Sequence, residues 1–106
     1  MVTCFIEYII DVNKIEAFER YAKRWIPLVN SFGGQHQGYF LPSEGASNKA
    51  LALFTFASLA DYELYRNASM KDADCIAAFN YAIQTQCIKH YQRNFFRPVF
   101  NDTAHK

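Results

Sequence analysis

The chain has 106 residues, 51% of them hydrophobic and 20% charged, with a formal net charge of +1. That length suits one domain with its own core, and the composition excludes a fully disordered chain, which would be polar and strongly charged. The even charge balance argues against a broad electrostatic attraction to nucleic acid or to an anionic membrane surface.

Val2 to Ile10 is rich in β-branched and aromatic residues and reads as a strand. Alternation puts Val2, Cys4, Ile6, Tyr8 and Ile10 on one face and Thr3, Phe5, Glu7 and Ile9 on the other. The first set is the more uniformly apolar, so it is expected under the helices, with Phe5 and Glu7 turned the other way. Asn13 and Glu16 have the spacing of a capping box. Ile15, Phe18, Ala22, Trp25, Val29 and Phe32 then recur at three and four residues, which is one stripe of a helix. The stripe runs past Pro27, so the proline is expected to kink the helix without ending it, and Gly33-Gly34 is the better stop.

Gln35 to Leu41 reads as a short second strand, loosened by Gly38. Pro42 to Asn48 is dense in turn residues, and Lys49 to Ala57 returns as a third strand, antiparallel to the second. Ser58 and Asp61 open a second helical region by N-capping logic. It divides near Met70 to Asp72, and Ile76, Phe79 and Ile83 form the stripe of its second piece. Ile88 to Arg97 is the last strand, closed by Pro98. One domain over residues 1–100 is expected, with 101–106 a polar tail.

The order strand, helix, strand, strand, helix, strand is the βαββαβ, ferredoxin-like pattern: an α+β fold with a four-stranded antiparallel sheet and helices on one face. The other face is left bare and carries aromatic side chains. Large bare apolar faces are rare on soluble proteins. A second copy packed sheet to sheet is the simplest cover, so a homodimer is expected, with Phe5, Phe54 and Phe56 at its interface. Single-stranded RNA stacking on the same three rings, as on an RRM, is the alternative. It lacks the basic-Gly start of the RRM motif, because Ala50-Leu51-Ala52-Leu53 precedes Phe54. A purely structural or regulatory dimer is the third reading.

Cys4, Cys75 and Cys87 are an odd count without close pairing, which fits a reducing compartment, and a cytoplasmic location is expected. No signal peptide and no membrane-length apolar run is visible. There is no phosphate loop, no dinucleotide fingerprint and no zinc spacing, and His36, His90 and His105 make no metal motif, so neither metal nor cofactor is expected.

Several pieces in order resemble the NIPSNAP family of the dimeric α+β barrel superfamily. They are Tyr8, then Lys14-Ile15-Glu16-Ala17-Phe18, Gly38-Tyr39-Phe40 with Gly45, Ser58-Leu59-Ala60-Asp61 and Phe96-Arg97-Pro98. Ile6 stands where many relatives have an arginine, and Phe54 where many have a tryptophan, so a role for that arginine is not carried over. The resemblance implies a homodimeric α+β barrel. Its superfamily includes cofactor-free enzymes, which is a poor guide to chemistry because one fold hosts many reactions. A small hydrophobic or aromatic ligand is expected in the barrel cavity, with enzymatic activity left open. Tyr8, Tyr39, Tyr91 and Arg93 are the candidate ligand contacts, since they are among the few polar groups on apolar strands and a guanidinium holds an anion in two bonds. Glu7 and His36 are the candidate proton acceptors. For Glu7 the competing expectation is an ion pair with Arg93 or Lys89 of the last strand. Tyr8 and Glu7 are neighbours on one strand, so they cannot both serve one site.

Overall fold

A computed structural model describes residues 1–100; the tail expected over residues 101–106, with His105, lies outside the described residues. The chain runs β1 (Val2–Ile10), α1 (Ile15–Ser31), β2 (Gln35–Phe40), β3 (Lys49–Phe56), α2 (Leu59–Ser69), α3 (Ala73–Thr85) and β4 (Ile88–Phe96). The four strands form one antiparallel sheet in the order β2-β3-β1-β4, the ferredoxin-like α+β arrangement expected from the sequence. No helix among the described residues is long and apolar enough to cross a membrane.

The helix-facing side of the sheet is the core. Cys4, Ile6, Tyr8 and Ile10 of β1 are buried there, flanked by Ala50, Ala52, Phe54 and Phe56 of β3. Against them α1 packs Phe18, Tyr21, Ala22, Trp25 and Val29. The helix passes through Pro27 and stops where Gly33, at φ +90, takes a conformation that only glycine adopts without strain. Gly34 is fixed by space instead. A Cβ there would stand 2.8 Å from both Phe56 Cζ and Val29 Cγ1, so its missing side chain lets the chain turn from helix into sheet over a buried phenyl ring.

Two details of capping differ from expectation. Asn13 does not cap α1: its amide donates to Asp11 Oδ1 (2.9 Å), and Lys14 occupies the cap position without a side-chain bond. The Lys14 ammonium reaches instead to the Thr85 carbonyl at 2.7 Å, joining the start of α1 to the end of α3. Ser58 and Asp72 do cap α2 and α3, accepting from the amides of Asp61 (3.1 Å) and Cys75 (3.0 Å).

The face of α3 is also corrected. Cys75 and Ala78 are buried, whereas Ile76, Phe79 and Ile83 are 40%, 40% and 71% exposed. Small residues let α3 approach closely, and the bulky stripe is displaced to its rim.

The expected grouping of Phe5, Phe54 and Phe56 does not hold. Cys4 pairs with Phe54 and Val2 with Phe56 across β1 and β3, so both phenylalanines share the helix-facing side with Cys4. They pack on Tyr62 and Tyr65 of α2. Phe5 pairs with Leu53 and lies on the open face. A stacking platform of the RRM kind therefore loses two of its three rings.

The open face carries Phe5, Ile9, Leu51, Leu53, Phe40 and Phe96 among polar side chains. Thr3 and Thr55 share a hydrogen bond of 2.8 Å there, and Gln37 donates to Thr55 at 2.8 Å. Gln37 is free to do so because β2 is irregular between His36 and Gly38, with Gly38 at φ +115.

Candidate functional site

β4 is the least covered strand of the sheet. It pairs only with β1, and its register puts Tyr91, Arg93 and Phe95 opposite Tyr8, Ile6 and Cys4, on the helix-facing side. The helices stop short of it, leaving a cleft of about 780 Å³ between β4 and the rim of α3. Tyr8, Tyr21, Phe79, Ile83, Tyr91 and Arg93 contribute to its walls. The volume lies within the range of small-molecule pockets, and the mix of aromatic surface with a few polar atoms is what such pockets show. A recess of about 90 Å³ shares Tyr8, Tyr21, Phe79, Tyr91 and Arg93 with the cleft and reaches Trp25, Tyr39, Tyr62 and Arg66.

The local sequence explains this geometry. The bulky stripe displaced to the rim of α3 supplies Phe79, whose ring meets the Trp25 indole edge-on at 4.9 Å. Tyr8 lies among Phe18 (5.1 Å), Tyr39 (6.1 Å) and Tyr91 (6.3 Å). Burial drives the Tyr8 and Tyr39 phenols well above their ordinary pKa and pushes Tyr21 up to about 12. All three are neutral hydroxyls near pH 7. Burial likewise pushes the Cys4 thiol up to about 11, against the opposing pull of Arg93.

Arg93 is the cation of the site. Its guanidinium lies 5.5 Å from the centre of the Tyr91 ring, and its Nε is buried without a hydrogen-bond partner among the described residues. Among the described residues no carboxylate reaches it; the ion pairs there are Lys23–Glu19 and Lys49–Glu7. Among the described residues Trp25 Nε1 and His36 Nε2 are likewise buried without a hydrogen-bond partner. Arg66 donates to the Tyr62 hydroxyl at 3.1 Å.

The structure brings Tyr8, Tyr39, Tyr91 and Arg93 together and separates them from the two expected proton acceptors. Glu7 is on the open face, and its partner is Lys49 of β3 at 3.9 Å. Arg93 stands on the opposite face, and so the expected pairing with it, like that with Lys89, gives way to a neighbour across β3. His36 lies on the helix-facing side but outside the cleft walls, stacked on Tyr39 at 5.0 Å. Its Nδ1 accepts the Gly38 amide at 2.9 Å, so the neutral ring carries its proton on Nε2 and has no free lone pair to offer. Burial lowers its pKa to about 4. In this geometry His36 is a packed ring whose acceptor nitrogen is already engaged. Among the described residues no cluster of His, Cys, Asp or Glu could hold a metal ion.

Trp25, Tyr21, Tyr62 and Phe79 escaped the sequence reading as site residues. The helical stripe marks Trp25 as a packed residue, and nothing in one strand or helix alone shows that it borders the recess.

The family model for NIPSNAP matches residues 3–100. The chain is similar in structure to a NIPSNAP family protein of unknown function from Agrobacterium tumefaciens, with a TM-score of 0.80 and 21% identity over 93% of this chain and 88% of that one. It is similar to an uncharacterised NIPSNAP domain protein from Burkholderia xenovorans, with a TM-score of 0.78 and 15% identity over 93% and 95%. A proposed antibiotic biosynthesis monooxygenase from Nitrosomonas europaea shares the fold at a TM-score of 0.73 and 9% identity, over 94% of this chain and 100% of that one. No curated protein matches the chain.

Proposed function

The chain belongs to the NIPSNAP family, and from that premise we propose that it binds a small apolar or aromatic molecule in the cleft between β4 and α3, as a homodimer joined through the open sheet face. The observation that carries the binding reading is the cleft itself: about 780 Å³, walled by Tyr8, Tyr21, Phe79, Ile83 and Tyr91. Each ring presents apolar surface to a guest, and an aromatic guest gains edge or offset contacts beyond plain burial. The dimer reading rests on the open face, where Phe40 and Phe96 are 51% and 53% exposed beside Phe5, Leu51 and Leu53. Glu7 and His36 are not a catalytic pair in this reading, because they stand on opposite faces of the sheet.

Naphthalene-2-carboxamide, a neutral two-ring probe, tests the binding reading. Trp25 is the only tryptophan and borders the recess, so its fluorescence reports occupancy. A saturable change that disappears in Phe79→Ala and Ile83→Lys is expected. A wild-type signal that stays linear up to about millimolar, the weak limit of a useful site, both for this probe and for its carboxylate counterpart 2-naphthoate, overturns the reading.

A further inference from the structure

Two of the residues that line the recess carry a buried N–H with no hydrogen-bond partner among the described residues. Trp25 is 4% exposed, and its Nε1–H is buried without a partner. The buried Nε–H of Arg93 is in the same condition, and both residues line the recess. Buried donors are nearly always satisfied, and an unmet one costs more than a made bond returns. Two of them around one void, one on a full positive charge, define the missing group: an acceptor with negative charge.

The surroundings contain no such group. Asp11 is the one carboxylate among the described residues that line the cleft, and its Oδ1 is engaged by the Asn13 amide. The neighbouring tyrosines are neutral hydroxyls, and that of Tyr21 feels the Trp25 N–H; such groups donate or accept but bring no charge to Arg93. The Tyr91 ring lies 5.5 Å from the guanidinium and the Cys4 thiol is beside it, and neither brings a negative charge.

We propose that the ligand of the cleft is an anion: an aromatic or apolar body in the outer cleft, with a carboxylate or equivalent oxyanion reaching the recess to pair with Arg93 and accept from Trp25 Nε1. This rests on the cleft-binding reading and specifies the chemistry of its occupant. Arg93 is the counter-ion, Trp25 the neutral donor that orients the anion, and Phe79 and Tyr91 the walls around its body.

The test compares 2-naphthoate with naphthalene-2-carboxamide on the same protein at pH 7 by calorimetry. The carboxylate should bind about 10- to 100-fold tighter, the range of a charge-assisted hydrogen bond. Arg93→Met should remove that advantage, so that carboxylate and carboxamide bind the variant within about threefold of each other. Trp25→Phe keeps a ring and loses the N–H, and should weaken the carboxylate about 3- to 10-fold. Raising the salt should weaken the carboxylate alone. Equal or tighter binding of the carboxamide to the wild-type protein overturns the anion inference and leaves the cleft reading standing. Failure of both probes overturns both. The wild-type comparison decides the matter even where a variant does not fold.

Discussion

Acidification should unfold this protein partly through one imidazole. His36 has a pKa of about 4 against an ordinary 6.5, because burial disfavours its charged form. In the unfolded chain the ring takes a proton as pH falls through 6.5, whereas in the folded chain it waits until about 4. The unfolded state thus binds more protons between those values, and stability drops as pH falls from about 6.5 to about 4, with nothing further lost below. The gap corresponds to about 3 kcal/mol at most, and residual access of water to the ring brings the expectation to about 2 kcal/mol. In urea that is a fall in midpoint of about 1 M. The assay is urea unfolding at fixed protein concentration at pH 7 and pH 4.5, for wild type and His36→Phe. Phenylalanine keeps the stack on Tyr39 and loses the acceptor for the Gly38 amide, so the variant starts less stable. Its decline between the two pH values should nonetheless be shallower than that of wild type by most of the 2 kcal/mol. Equal declines would refute the assignment and return the acid sensitivity to the carboxylates.

Gly34→Ala should lower stability by about 1–2 kcal/mol, because overpacking against Phe56 and Val29 exceeds the entropic gain of alanine, and the loss should shrink in the background of Phe56→Leu; thermal unfolding that is unchanged would contradict the close approach. Phe5→Asp should yield monomers by light scattering with the fold intact by circular dichroism, since Phe5 is on the open face, whereas Phe54→Asp should unfold the chain from its core; a Phe5→Asp dimer would remove the open face as the seam. Cys4, Cys75 and Cys87 are buried and free, and burial raises Cys4 to about 11 and Cys75 to about 12, so a thiol reagent at pH 8 should label none of them rapidly before unfolding and all three after. Fast labelling of the native protein would show that the core opens.

What a sequence could reveal here divides by the range of the signal. The parity of β1 is local and absolute, so Cys4, Ile6 and Tyr8 were separable from Phe5 and Glu7 before any pairing was known, and their placement under the helices followed from their apolarity. The parity of β3 was just as legible, but which of its faces joins which face of β1 depends on a pairing register between residues some fifty positions apart, such as Cys4 with Phe54. Strand parity alone therefore does not separate Phe54 and Phe56 from Phe5. In α3 two apolar stripes compete. Ile76, Phe79 and Ile83 outweigh Cys75 and Ala78 in hydrophobicity, yet the helix turns its smaller side inward because close packing against its neighbours favours small volume over large area. Of the candidate site, the sequence offered the strand residues Tyr8, Tyr39, Tyr91 and Arg93, which line the cleft or its recess. The Trp25 N–H and the Phe79 wall come from helices that meet those strands only in three dimensions.

The position of β4 has a consequence for motion. A strand laddered on one side only, and exposed along most of its length, sits at the low end of local stability, so its amides should exchange with solvent well before those of β1 and β3. That strand also carries Tyr91 and Arg93. One wall of the cleft is therefore an edge of the sheet that opens more readily than its centre, and a guest held by Arg93 would tie the strand to β1 from within. Occupancy would then be written in hydrogen exchange as slowed opening of Ile88 to Phe96, with the rest of the sheet unmoved.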